Sequence, residues 1–218
     1  MAVAKTLASH GIWGCTPFHS SSSSSSLLWT FGLGVAYRAF GVYDWTPLVL
    51  NVAFAIGTLV VAHVSLVRFG ASALLRASAL LGIVVACPLA GMVLMGMEHI
   101  LHLLLTIGFA AVAVEALTSP EESPRTRRRR TFALCIVGAL LGASRYEGFF
   151  LIGLVCLAFL VRRQLVRAVS VGVASLLPVA AFGAISVANG SYFLPNPLMV
   201  KAVGETGSST WWGLASSR

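Results

Sequence analysis

Residues 131–161, TFALCIVGALLGASRYEGFFLIGLVCLAFLV, decide how this chain is built. The stretch is apolar except at its middle, where Ser144-Arg145-Tyr146-Glu147-Gly148 interrupts it. Read as one helix, its 31 residues would set its two flanks on opposite sides of a membrane. Read as two helices turning at 145–148, it returns the chain to the side it came from. The arginines choose between these readings. Three connections are basic: 68–76, 118–130 with Arg125 and Arg127 to Arg130, and 162–167 with Arg162, Arg163 and Arg167. Basic loops stay on the cytoplasmic side, and only the turn at 145–148 lets all three do so. Each half is about 14 residues, or about 21 Å of helix, which is short for a 30 Å hydrocarbon core. The turn is therefore expected below the membrane surface, in a protein-lined or wet cavity.

Working outward, 46–67, 77–96, 97–117 and 168–188 are each long enough to span. The expected fold class is all-α: a polytopic bundle of about six transmembrane helices with both termini outside. An amphipathic helix over 27–41 is expected on the outer surface. Three regions follow: an outer segment 1–45 with that helix, a transmembrane core 46–188, and an outer segment 189–218. Composition agrees. The chain of 218 residues is 57% hydrophobic and 10% charged, with a mean hydropathy of +0.88, against about 25% charged residues in an average soluble domain. A soluble monomer of this size could not bury so much apolar side chain. An ordinary cytosolic enzyme, a disordered chain and a disulfide-stapled domain are thereby excluded.

The net charge of +8 comes from 15 Lys+Arg against 7 Asp+Glu. Ten arginines fall in the three basic loops, so the excess reads as a topology signal that touches anionic headgroups, with no nucleic-acid module and no nucleic-acid partner. The four cysteines form no CxxC pair and read as packing residues. The seven serines Ser20 to Ser26 read as a flexible linker.

Acidic residues are rare and informative. Asp44, Glu98, Glu147 and Glu205 fall on the outer side. A carboxylate at the edge of an apolar run is expensive unless partnered or hydrated, and Arg145 is the available partner. The outer ends of several helices thus gather Glu98, His99, Arg145, Glu147, Asn196 and Lys201, the candidate substrate-binding residues. Arg145 and Lys201 are donors suited to phosphate. Each residue also has a plainer reading: Arg145 and Glu147 as a structural ion pair, Lys201 as an interfacial anchor. Glu98 with His102 at i,i+4 is a weak divalent-metal pair, and no other cofactor is implied. Trp13, Trp29, Trp45, Trp211 and Trp212 read mostly as an outer-leaflet aromatic belt.

Four stretches together resemble the GT-C class of polytopic, lipid-linked-sugar glycosyltransferases, in bacterial branches related to mannosyl- and arabinosyltransferases. Gly14-Cys15-Thr16-Pro17 through Leu27-Leu28-Trp29-Thr30 resembles a GYTSPLW segment, and Gly96-Met97-Glu98-His99 a GLET helix start. Ser144-Arg145-Tyr146-Glu147-Gly148 resembles RPEG, with Tyr146 in place of Pro, and Tyr192 through Lys201 resembles LLPNTFYAK. The resemblance implies a multi-pass protein of the bacterial plasma membrane. Such a protein takes a sugar from a polyprenyl phosphate and passes it to an acceptor on the outer face. It also implies a catalytic Asp in a first outer loop, following a first transmembrane helix. This chain has no acidic residue before Asp44, its only Asp. The expectation is an incomplete transferase, inactive alone, with its catalytic residue unknown. The competing readings are a transporter or flippase subunit and a non-catalytic membrane scaffold.

Overall fold

The computed structural model describes residues 1–21, 23–119 and 123–193. Asn196, Lys201, Glu205, Trp211 and Trp212 lie outside the described residues. Those described form helices, with no strand among them: α1 (Ala2–His10), α2 (Leu27–Phe40), α3 (Thr46–Arg68), α4 (Ala73–Ala86), α5 (Leu89–Met95), α6 (His99–Thr118), α7 (Pro124–Ser144), α8 (Gly148–Val161) and α9 (Leu165–Ala188).

Local chemistry sets the boundaries. Ser26, Ser72 and Ser123 each cap a helix, accepting from the backbone N–H of Trp29, Leu75 and Thr126, which satisfies a donor the first turn leaves orphaned. Pro47 and Pro124 occupy first-turn positions where the missing N–H is harmless. Pro88 separates α4 from α5 at a bend of 45°. Gly96 ends α5 at φ +66°, a backbone setting that glycine adopts freely.

The helices α3, α6 and α9 are long and apolar enough to cross a bilayer, and the bent pair α4–α5 makes a fourth if it counts as one span. The remaining two expected crossings do not pass on this measure, α7 for its charge and α8 for its length. The first two turns of α7 carry five arginines, and α8 has 14 residues. Large apolar side chains face outward on many of these helices, among them Leu74, Leu94, Phe150 and Val161, each more than 75% exposed. α4 buries none of its residues within the chain. A surface of this kind belongs in lipid, so the chain is a membrane protein.

The core joins α6, α7, α8 and α9 through Phe109, Leu134, Leu141, Ile152, Phe159 and Val171. Gly138 and Gly142, a small-xxx-small pair, bring α7 close to α9. A Cβ at Gly142 would stand 2.9 Å from the Ser175 carbonyl and 2.8 Å from the Phe149 ring. Small residues at a helix contact let backbones approach where lipid offers no hydrophobic drive. A second cluster packs α1 on α2, with Ala4, Ala8, Trp29, Leu33 and Tyr37 meeting Leu101 of α6. Residues 27–40 thus pack side by side with α1, the two helices running in the same direction. Trp29 lies in that cluster at 7% exposure, a correction to the aromatic-belt reading. Trp45 is exposed and stacks on Tyr43.

The two ends of the bundle differ in charge. At one end Arg68 bonds Glu115 at 3.1 Å, Arg162 donates to the Leu117 carbonyl, and Arg167 donates to Thr131 at 3.0 Å. The three arginine-bearing connections therefore share that end. The turn between α7 and α8 lies at the other, as expected from the sequence.

Candidate functional site

The site is built where α5 hands over to α6 and α7 to α8. The left-handed turn at Gly96 reverses the chain. Glu98 becomes the N-cap residue of α6, buried at 6% exposure, and His99 its first residue. Asn51 of α3, fully buried, fixes this turn by donating to the Met97 carbonyl at 3.0 Å. Across from it, α7 ends at Ser144 and Arg145 takes an extended backbone, φ −159° and ψ 145°. The chain then turns back tightly. The N–H of Gly148 donates to the Arg145 carbonyl, and that of Phe149 to the Tyr146 carbonyl. Gly148 lies against Leu141, where a Cβ would stand 2.8 Å from that side chain.

Arg145 joins the two turns. Its Nε and Nη2 donate to Glu147 at 3.2 and 2.9 Å, a bidentate pairing within one turn. Its Nη1 donates to Glu98 Oε1 at 3.4 Å and to His99 Nδ1 at 2.6 Å, across 47 and 46 residues of sequence. Four of the five guanidinium N–H groups are therefore engaged. His99 accepts at Nδ1, so its ring is the neutral tautomer protonated at Nε2. His102 Nδ1 lies 2.8 Å from the Ser144 hydroxyl, which also reaches the Leu141 carbonyl at 2.8 Å. A hydroxyl has one proton; with it on the carbonyl, the imidazole is the donor.

Electrostatics follow the geometry. The hydrogen bonds from Arg145 bring the Glu147 carboxyl down to about 2, from an ordinary 4.5, and burial opposes them only in part. The same bonds from Glu147 raise Arg145 further. Burial alone pushes the Tyr146 phenol up to about 12, and its hydroxyl has no partner among the described residues. One guanidinium faces two carboxylates. The cluster is rich in acceptors.

Two clefts flank the Arg145–Glu98 pair. One, of about 340 Å³, is lined by Cys87, Met92, His99, His102, Thr106 and Arg145. The other, of about 290 Å³, has Glu98 in its wall with Ser24, Ser25, Ser26, Trp29 and Thr30. Ser25 Oγ points to Glu98 Oε1 at 3.5 Å, and Ser24 bonds Thr30 at 2.5 Å. The serine run therefore does not end as a linker. Ser26 is 2% exposed and caps α2, which corrects the flexible reading for that residue.

Four of the six sequence candidates, Glu98, His99, Arg145 and Glu147, thus meet in one cluster; Asn196 and Lys201 lie outside the described residues. Ser144, Ser25 and Thr30 join the site without having been named as binding residues, and Asn51 braces it from α3. Asp44 takes Lys5 as its partner at 3.0 Å. Among the described residues no three His, Cys, Asp or Glu side chains converge as a metal site requires, and the ring of His102 faces Ser144. No protein-family model, curated protein or solved structure matches the chain.

Proposed function

We propose that this chain forms part of a membrane glycosyltransferase that takes a sugar from a polyprenyl-phosphate donor at the outer face of the membrane. One observation carries the reading. Gly96–His99 and Ser144–Gly148, two of the four stretches behind the family resemblance, lie against each other through the bonds of Arg145 to Glu98 and His99. A scaffold has no need of that convergence, and a transport path would continue it to mid-depth.

In this reading six crossings carry the bundle through a bacterial plasma membrane, with the arginine end in the cytoplasm. The cluster then faces outward, where the lipid-borne sugar is presented. The acceptor oxygen attacks the anomeric carbon, and the sugar–phosphate C–O bond breaks with its electron pair leaving on the phosphate. The acceptor proton passes to a base outside the four-residue cluster. The remaining N–H of Arg145 serves the departing phosphate. Glu98 and Glu147 accept from sugar hydroxyls while holding the guanidinium in place. Because carboxylates outnumber the cation, the phosphate requires a second cation, and Lys201 is the sequence's candidate.

The test uses the chain in lipid nanodiscs with photoreactive polyprenyl phosphomannose and polyprenyl phosphoarabinose. Saturable cross-linking is expected, competed by unlabelled donor and weakened about tenfold in Arg145→Lys, where a point charge replaces a fork. Cross-linking that neither saturates nor responds to competitor refutes the proposal.

A further inference from the structure

At the arginine end a second feature stands apart from the rim cluster. The N-terminal turns of α7 and α9 enclose an open groove of about 900 Å³. Arg125, Arg128 and Arg129 line it from α7, together with Phe132 and Cys135, and Val166 lines it from α9. Arg125, Arg128, Arg129 and Phe132 follow i, i+3, i+4 and i+7 spacing, so three guanidinium groups and an aromatic ring share one helix face. The pattern is graded along the helix axis. The arginines come first, exposed at the helix start, and Phe132 and Cys135 follow toward the apolar body. Val166, 77% exposed, forms the opposite wall. Beneath them Arg167, 3% exposed, is fixed in the floor. It donates to Thr131, to the Gln164 side chain and to the Arg127 carbonyl, and its guanidinium lies 5.7 Å from the Phe159 ring centre.

We propose that this groove holds one anionic phospholipid, its phosphate among Arg125, Arg128 and Arg129 and its acyl chain along Phe132, Cys135 and Val166. Charge complementarity selects the occupant. Arginine forks match phosphate oxygens, and a basic pocket between helices at the cytoplasmic surface suits an anionic headgroup. The apolar half of the groove distinguishes a lipid from free phosphate, which has nothing to place there. This site requires no sugar chemistry and is independent of the outer cluster.

The experiment is a lipid competition. The full chain, purified in mild detergent, is offered equal amounts of phosphatidylglycerol and phosphatidylcholine, and retained lipid is counted by native mass spectrometry. The expected result is about fivefold enrichment of phosphatidylglycerol, falling below about twofold in Arg125→Gln/Arg128→Gln/Arg129→Gln. Val166→Glu keeps every arginine and sets a carboxylate on the path of the acyl chain; it should lower the amount of lipid retained. Equal retention of the two lipids by the wild type overturns the proposal. So does enrichment that survives the triple substitution, or displacement of the lipid by inorganic phosphate.

Discussion

Replacing Arg145 with alanine isolates the interaction that joins the two turns. The Glu98 side chain is 8% exposed and that of Arg145 23%, whereas that of Glu147 is 56% exposed. Losing the guanidinium strands one buried carboxylate and one largely hydrated one. Removing one partner of a buried ion pair costs about 3–5 kcal/mol. The 3.4 Å separation and the partly exposed arginine place this pair at the low end, about 3 kcal/mol. Glu98→Gln keeps the shape and leaves Arg145 its bidentate partner, so it costs about 1 kcal/mol. Independent effects would sum to about 4 kcal/mol in the double variant. The expected value is nearer 2 kcal/mol, because no carboxylate is then left stranded, which gives a coupling of about 2 kcal/mol. Glu147→Gln changes stability by no more than about 1 kcal/mol, as exposed pairs do. Tryptophan fluorescence during unfolding in mixed micelles reads all four species, since Trp29 is buried in the native fold. Additive losses, with coupling under about 0.5 kcal/mol, would refute the reasoning. They would mean that water, not Arg145, neutralises Glu98.

Three further outcomes are expected. Gly142→Ala drives a Cβ into the Ser175 carbonyl and the Phe149 ring and should cost about 1–3 kcal/mol. Gly153→Ala, with open space around it, should change stability by under about 1 kcal/mol; equal effects in the same unfolding assay would exclude the close α7–α9 contact. Glu147 has a depressed carboxyl, so its contribution is complete above about pH 4.5 and is lost as pH falls toward 2. Glu147→Gln should flatten that acid limb in a thermal melt series and leave stability at neutral pH within about 1 kcal/mol. Finally, cysteines introduced singly at Glu147 and Arg128, in a chain freed of its native cysteines, should react with an impermeant maleimide from opposite faces of a vesicle. Reaction from the same face would place the α7–α8 turn with the arginines and sink the topology.

How much of this could be read from sequence varies with how local the cause is. The α7–α8 turn was legible because Ser144 through Gly148 breaks an otherwise apolar run, and the arginines required a return. The meeting of Glu98 with Arg145 was legible only as a shared end, since their bond depends on how α6 and α7 pack. α1 was not foreseen. Its nine residues are too few for a periodic pattern, and it is held by Ala4 and Ala8 against α2 and by Arg38, which donates to the Ala8 carbonyl. Ser26 was hidden by its own repeat. Seven equal serines look alike, yet only the last precedes an apolar helix and meets its free N–H groups. The small-residue pair Gly138 and Gly142 was visible but carried no meaning until Ser175 was known to face it.

Two breaks in the helical backbone share one cleft. Backbone that leaves the helix at membrane depth must be satisfied by protein or by water. The bundle does this twice near its outer end: at Cys87–Pro88, where α4 gives way to α5, and at 145–147, where α7 gives way to α8. These sites are nearly sixty residues apart in sequence. Cys87 and Arg145 nevertheless line the same cleft, with His99, His102 and Thr106 between them. A bundle built only for packing could have filled that volume with leucine, since a buried ion pair is often no better than an apolar replacement. Glu147 alone gives Arg145 a bidentate partner, so the turn has no need of Glu98. The second, buried carboxylate and the His99 imidazole instead tie that turn to the start of α6. In the proposed reading they are also the groups that a hydroxyl-rich ligand would use.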